Sequence, residues 1–209
     1  MIGQGLTPSH VIFLSEGFAP LPLELPSVPY FDNITPALAT IHAAEIPVTL
    51  IGVRDVNAGV VVSAVKESPV DIIVYSGPGG AILREEILNA GKKFLHIHPG
   101  ILPRYRGSTT VYYSLIEEGA CGATALFLDK KIDSGPILAD RVYPPPDDRE
   151  TIDHGYDPFI RSDLLQSVLR AYVQTGEFKP RAQPVGEGEA YFIMHPALRH
   201  IAILSRKRV

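Results

Sequence analysis

The chain has 209 residues, room for one large domain or a domain with a small appendage, and 45% of them are hydrophobic against 20% charged, the balance of a globular protein with a sizeable core. Nineteen basic and 23 acidic residues leave a net charge of -4, so bulk charge gives no sign of nucleic acid or an anionic membrane as partner. Cys121 is the single cysteine, which excludes an intrachain disulfide and suits a cytoplasmic location, and no apolar run approaches membrane-spanning length.

The first apolar run, His10 to Ser15, is β-branched at Val11 and Ile12 and predicts a buried strand. The stretch "GFAPLPLELPSVPYFDN" follows, too dense in proline for a helix or a central strand, and predicts an extended loop. A helix is expected over Pro36 to Ala44, a strand over Ile46 to Val53, and a helix capped by Asp55 and running to about Lys66. Val70 to Ser76 predicts the third strand, broken by "GPGG" at Gly77, with a helix over about Ile82 to Ala90. Lys93 to Ile97 predicts the fourth strand and Thr109 to Glu118 a helix. Two strands follow, Ala123 to Asp129 and Ile137 to Tyr143, close enough to pair antiparallel. Asp157-Pro158 opens the last long helix, with Asp157 read as its cap, and Gly176 stops it. The tail from Glu189 adds a strand and a helical turn, and His195 in it reads as a packing residue.

Apolar strands alternating with helices imply an α/β fold: an open, mainly parallel, Rossmann-like sheet with helices on both faces and an antiparallel strand pair at one side. Residues 1–180 are expected to form the main domain and 181–209 a C-terminal extension of it. In such sheets ligands bind beyond the carboxyl ends of the strands, which puts "GPGG" and "HIHP" on one rim.

On that rim His96 and His98 stand two apart on a strand, so their side chains point to one face, and Pro99 ends the ladder behind them. An imidazole with an ordinary pKa near ~6.5 suits acid–base work, although a pair of packed histidines is the plain alternative. Asp133 lies in the turn-rich "DKKIDSGPILA", where a loop can carry a carboxylate to another strand; Asp129 and Asp140 compete with it. Two histidines and a carboxylate are also a ligand set for zinc or iron. Cys121 has uncharged neighbours and reads as packing.

Taken together, "DIIVYSGPGGAIL", "FLHIHPGILPRYRG" and "GATALFLDKKIDSGPILA" resemble the catalytic core of the 10-formyltetrahydrofolate-dependent formyltransferases, over about Val70 to Tyr143. That group includes the glycinamide ribonucleotide, methionyl-tRNA and sugar N-formyltransferases and the related formyltetrahydrofolate hydrolase. Its pattern is Asn-x-His-Pro-x-x-Leu-Pro with an Asp in a later Asp-x-Gly-Pro loop. The resemblance assigns His98 and Asp133 as catalytic and gives His96, which stands where the family has Asn, the oxyanion role. It implies formyl transfer from 10-formyltetrahydrofolate as co-substrate, with no metal. The folate would be held by Tyr75, Ser76, Gly77, Ile82 and Leu83 on one side and by Leu128, Lys131 and Ile132 on the other. A hydrolase or metal-dependent enzyme on the same scaffold, and a non-catalytic folate-binding relative, are the alternatives.

The loop after the first strand has proline where the purine enzyme has repeated glycine, and no basic residue, so a phosphate site is not expected there. The acidic balance argues against tRNA. The expected acceptor is a small-molecule amine (an amino sugar, an amino acid or a specialised metabolite), with no nucleic acid and no membrane as partner and a homodimer left open. Glu16, Glu24 and Asp32 offer negative charge to a cationic amine, and Tyr112 and Tyr113 are candidates for the acceptor side or for half-buried core. The basic C-terminal tip, Arg199 with Arg206 to Arg208, reads as a solvated end.

Overall fold

The computed structural model describes residues 2, 5–16, 28–32, 35–184 and 186–205. The proline-rich stretch, with Glu24, therefore lies mostly outside the described residues, as do Arg206 to Arg208. The chain forms two compact units, one of residues 1–71 and 81–92, the other of residues 72–80 and 93–209.

In the first unit β1 (Val11–Leu14) and β2 (Val48–Ile51) pair in parallel, joined through α1 (Ala37–Ala43), as the alternating pattern requires. Helix α2 (Gly59–Glu67) buries Val61, Val62 and Val65. Asp55 does not cap it. Its Oδ1 accepts from the Asn57 N–H at 2.9 Å, an Asx turn, and the helix starts only after Ala58, which has no side-chain cap. The helix expected over Ile82 to Ala90 is a single turn, α3 (Glu85–Leu88). Asn57 accounts for its late start: its side chain donates to the Ile82 carbonyl at 3.0 Å and accepts from the Arg84 N–H at 2.7 Å, so neither group is free for a helical ladder.

The second unit is built on a four-stranded sheet in the order β3 (Ile72–Val74), β4 (Lys93–His98), β6 (Cys121–Phe127), β7 (Ile137–Tyr143). β3 and β4 are parallel, and β6 runs antiparallel to both β4 and β7. The antiparallel pair expected from the short connection is present and extends one strand further. Every residue of β6 is buried, so both of its faces are covered; α4 (Thr110–Glu118) and α5 (Asp157–Thr175) both pack against it. Leu102, Leu126 and Ile137 form a core cluster.

Two local features depart from the sequence pattern. α5 does not begin at a cap: a π-helical turn over Ile152–Tyr156 feeds into it, Tyr156 already has helical angles, and the Asp157 carboxylate faces Arg161 one turn on, at 3.3 Å. A short parallel pair also joins β5 (Tyr105–Gly107), inside the turn after the histidines, to β8 (Glu189–Tyr191). α6 (Pro196–Leu204) follows, N-capped by His195, whose Nδ1 accepts from the Ala197 N–H at 3.2 Å; this exposed histidine is a cap and not a packing residue. Arg199 in α6 pairs with Asp153 and lies 5.1 Å over the Tyr112 ring, so it is engaged and not a solvated end.

The β5–β8 pair needs glycine at its close approach. Gly107 has φ 96°, and a Cβ there would overlap the Tyr191 carbonyl oxygen. Gly107→Ala is expected to lower stability by about 2 kcal/mol or more in urea unfolding, against about zero for a position with open space around it. An unchanged unfolding midpoint would show that the approach is not made.

Candidate active site

His98 ends β4 and is 2% exposed. Both neighbours of its Nε2 can only accept. The Tyr105 carbonyl oxygen lies at 2.6 Å, and the Thr110 hydroxyl at 3.3 Å already donates its proton to the Pro99 carbonyl at 2.7 Å. The ring proton of neutral His98 is therefore on Nε2, and Nδ1 carries a lone pair. Burial pushes the His98 pKa down, and the nearby Asp133 carboxylate opposes this only in part. The turn that aims the Tyr105 carbonyl is tight at Gly100, where a Cβ would sit 3.0 Å from His98 Nε2, Thr110 Oγ1 and Tyr105 Cβ. Thr124 braces it, donating to the Gly100 carbonyl at 2.6 Å and accepting from the Leu102 N–H at 3.1 Å.

Asp133 is brought to that lone pair. Its Oδ1 lies 3.5 Å from His98 Nδ1, and its Oδ2 accepts from the Gly107 N–H at 2.8 Å. The hairpin loop starts beside the other end of β4, where the Leu128 N–H donates to the Phe94 carbonyl at 2.8 Å, and runs back along the strand to reach His98. Asp133 is 8% exposed and takes a left-handed backbone, φ 52°. Asp129 and Asp140 are directed elsewhere: Asp129 accepts from the Lys130 N–H at 2.7 Å, and Asp140 pairs with Arg181.

His96 faces the same way as His98 and is half-buried, with Nδ1 3.1 Å from the Tyr75 carbonyl. A carbonyl only accepts, so neutral His96 carries its proton on Nδ1 and a lone pair on Nε2. Burial lowers its pKa as well. Neutral His96 thus has no free N–H for an oxyanion; only the imidazolium, which burial disfavours, would supply one.

The folate residues expected from sequence fall in both compact units. Tyr75, Ser76 and Gly77 follow β3, and Leu128, Lys131 and Ile132 follow β6, so the two segments flank β4. The Tyr75 ring centroid lies 6.0 Å from that of His96, and its hydroxyl covers Gly77 where a Cβ would stand. Ile132 is 56% exposed and Lys131 is exposed, leaving apolar and backbone surface beside Asp133 of the kind a flat amide-edged ring covers. Ile82, exposed, and Leu83, buried, belong to the other compact unit. Tyr112 is core and donates to Asp153 at 2.7 Å, while Tyr113 donates to the Phe192 carbonyl at 3.2 Å. Asp32 bonds the Thr35 N–H at 3.1 Å. Cys121 is buried, which pushes its thiol up to about 12, in keeping with packing. Among the described residues no group of three His, Cys, Asp or Glu side chains is placed to hold a metal ion, so the ligand set considered from sequence is not assembled there.

Sequence reasoning missed Thr110 and the Tyr105 carbonyl, which set the His98 tautomer. It also missed Asp157 and Arg161 in the first turns of α5, whose charges act on His98 and, for Arg161, on His96 too. Burial raises the Asp157 pKa against the pull of Arg161. A tautomer depends on which carbonyls face the ring, and no sequence pattern encodes that.

Residues 40–156, more than half the chain, match the formyl transferase family. A methionyl-tRNA formyltransferase of Roseiflexus castenholzii is 38% identical over 107 residues, 50% of this chain and 34% of that protein. The chain therefore spans about a third of the length of the curated relatives it matches. A solved methionyl-tRNA formyltransferase from Clostridium thermocellum shares the fold with a TM-score of 0.58 at 20% identity, over 91% of this chain and 74% of that one. The formyltransferase PseJ from Anoxybacillus kamchatkensis, solved with UDP-4,6-dideoxy-4-formamido-L-AltNAc and tetrahydrofolate, gives a TM-score of 0.54 at 18% identity, over 88% and 85%. The expectation that nucleic acid has no part is overturned, because relatives that share up to 40% identity are named for methionyl-tRNA. Net charge misled there: it sums over a whole surface and does not report on a local face. From the matched residues, which contain both His98 and Asp133, the chain belongs to the formyl transferase family.

Proposed function

We propose that the chain moves a formyl group from 10-formyltetrahydrofolate to a primary amine. The observation that carries this reading is the aim of the buried His98 ring: Nε2 is held on the Tyr105 carbonyl, and the Nδ1 lone pair faces the Asp133 carboxylate at 3.5 Å. The folate, when bound, supplies a formyl group activated on a nitrogen that can leave; Tyr75, Ser76, Gly77, Leu128, Lys131 and Ile132 are the residues proposed to hold it.

The chain's own part is proton handling. A primary amine is an ammonium near neutral pH and must lose one proton before it attacks and a second once its nitrogen has bonded to the formyl carbon. Two acceptor nitrogens stand on one face of β4. His96 Nε2 takes the first proton. His98 Nδ1, backed by Asp133, takes the second, holds it between imidazole and carboxylate, and returns it to the leaving nitrogen. One C–N bond forms, one breaks, and one proton is released to solvent through His96.

Methionyl-tRNA presents one primary amine, that of its methionine, and the formamido sugar solved with PseJ is a formylated amine. The acceptor panel should therefore include methionyl-tRNA, amino-sugar nucleotides and free amino acids.

With 10-formyltetrahydrofolate and such a panel, tetrahydrofolate release should depend on the amine. His98→Asn and Asp133→Asn should each lower turnover by about 10²-fold or more while circular dichroism stays that of the wild type. Near-normal turnover in either variant rejects the assignment, and release that ignores every amine supports the hydrolase alternative.

The pH dependence follows from the direction of the shifts. Both imidazoles have lowered pKa values, so both are neutral at pH 7 and gain a proton only below the ordinary ~6.5. His96→Asn, which accepts no proton, should be roughly 10-fold or more slower at pH 7, and the deficit should shrink as rising pH neutralises the amine unaided. A deficit constant across pH 6 to 9 would sink the acceptor role of His96.

A further inference from the structure

Asp133 is held in place by more than its carboxylate. Its left-handed backbone, φ 52°, is a conformation that a non-glycine residue keeps only where its surroundings insist on it. The Gln183 side-chain nitrogen donates to the Asp133 carbonyl at 2.9 Å and to the Gly135 carbonyl at 2.7 Å. The Gln183 amide cannot be turned over: its oxygen accepts from an Arg106 guanidinium nitrogen at 2.9 Å, so its NH2 must face the two carbonyls. Arg106 is anchored in turn, donating to the Glu187 carbonyl at 2.6 Å. It sits on β5 directly before Gly107, whose N–H binds the Asp133 carboxylate. The carboxylate and the main chain of Asp133 are thus gripped from the same pair of segments, β5 and the stretch leading to β8.

We infer that Gln183, backed by Arg106, is a positioning residue for Asp133, fixing the loop so that the carboxylate meets His98 Nδ1. Gln183 lies beyond the 40–156 stretch that matches the family, so the C-terminal segment completes the site. The inference rests on the formyl-transfer reading for its effect on rate, but the placement of Asp133 is measurable without any substrate.

The test is an NMR titration of the imidazoles in histidine-labelled protein, for wild type, Asp133→Asn and Gln183→Met, the last matching glutamine in length while deleting donors and acceptor. Without the carboxylate nearby the His98 cation loses support, so Asp133→Asn should lower the pH at which His98 titrates. Gln183→Met should shift His98 in the same direction and lower kcat by about 10- to 100-fold, with KM for the folate within about twofold. Gln183→Leu, which also deletes the donors and the acceptor and adds no charge, is read in the same way if Gln183→Met does not fold. A His98 titration or a kcat unchanged in the folded Gln183 variant overturns the positioning role. If Asp133→Asn itself leaves His98 unmoved, the His98–Asp133 contact fails and the inference falls with it. If His98 responds in both variants but Asp133→Asn keeps wild-type turnover, the formyl-transfer reading fails instead.

Discussion

The site depends on one constraint, the hydrogen bond from His98 Nε2 to the Tyr105 carbonyl at 2.6 Å. Imidazole has a single proton to place when neutral, and fixing it on one nitrogen makes the other an acceptor. With Nε2 tied down, Nδ1 meets Asp133 as lone pair against carboxylate. That arrangement is unfavourable while empty and favourable once a proton lies between the two groups. Burial sharpens the contrast, because a low local dielectric strengthens both the repulsion and the attraction that replaces it. The same burial lowers the His98 pKa and keeps the ring neutral and ready to accept. Had Nε2 faced solvent, the ring could adopt the other tautomer and donate to Asp133 at rest, which would move the acceptor lone pair from Nδ1 to Nε2 and away from the carboxylate.

The fold supplies this constraint through the turn after β4. The carbonyl that fixes His98 comes from Tyr105, seven residues along, and so the turn must curl back on the strand it leaves. Gly100 permits the close pass, Thr110 and Thr124 satisfy the polar groups that the pass would bury, and pairing of β5 with β8 holds the far end. Asp133 approaches from the hairpin between β6 and β7, and Gly135 beside it has no room for a Cβ against the Phe127 carbonyl. The His98–Asp133 pair thus joins segments far apart in sequence, and the stiffness of each turn decides whether 3.5 Å is kept.

Where the chain's signals were local, its structure was legible. β7 has its expected bounds, α5 ends at Gly176 with φ 76°, and the alternation on β4 puts both histidines on one face. Turn residues marked a loop at Asp133, but pattern alone did not choose it over Asp129 and Asp140; the resemblance did. Signals that depend on distant partners were not legible. β5 is three residues in a proline- and glycine-rich turn and becomes a strand only because β8 returns to it. Asn57 shortens α3 through its side chain, so that helix start misreads; α5 does begin at Asp157, but the π turn before it removes Asp157 from capping.

The departure at His96 takes its meaning from the same tautomer argument. An amide at that position offers an N–H whatever its surroundings; an imidazole offers one only where its other nitrogen does not already hold the ring's proton. The Tyr75 carbonyl holds that proton on His96 Nδ1, and burial keeps the ring neutral. The replacement therefore exchanges a fixed donor for an acceptor whose charge follows pH. A fixed donor acts on the oxyanion in the transition state. An acceptor acts earlier, on the fraction of amine that is free to attack. On the proposed reading, the site gives up part of its static stabilisation of the oxyanion and gains a proton acceptor beside the nucleophile. Because burial weakens that acceptor as a base, on the same reading it serves weakly basic amines better than strongly basic ones, whose protons it takes less readily.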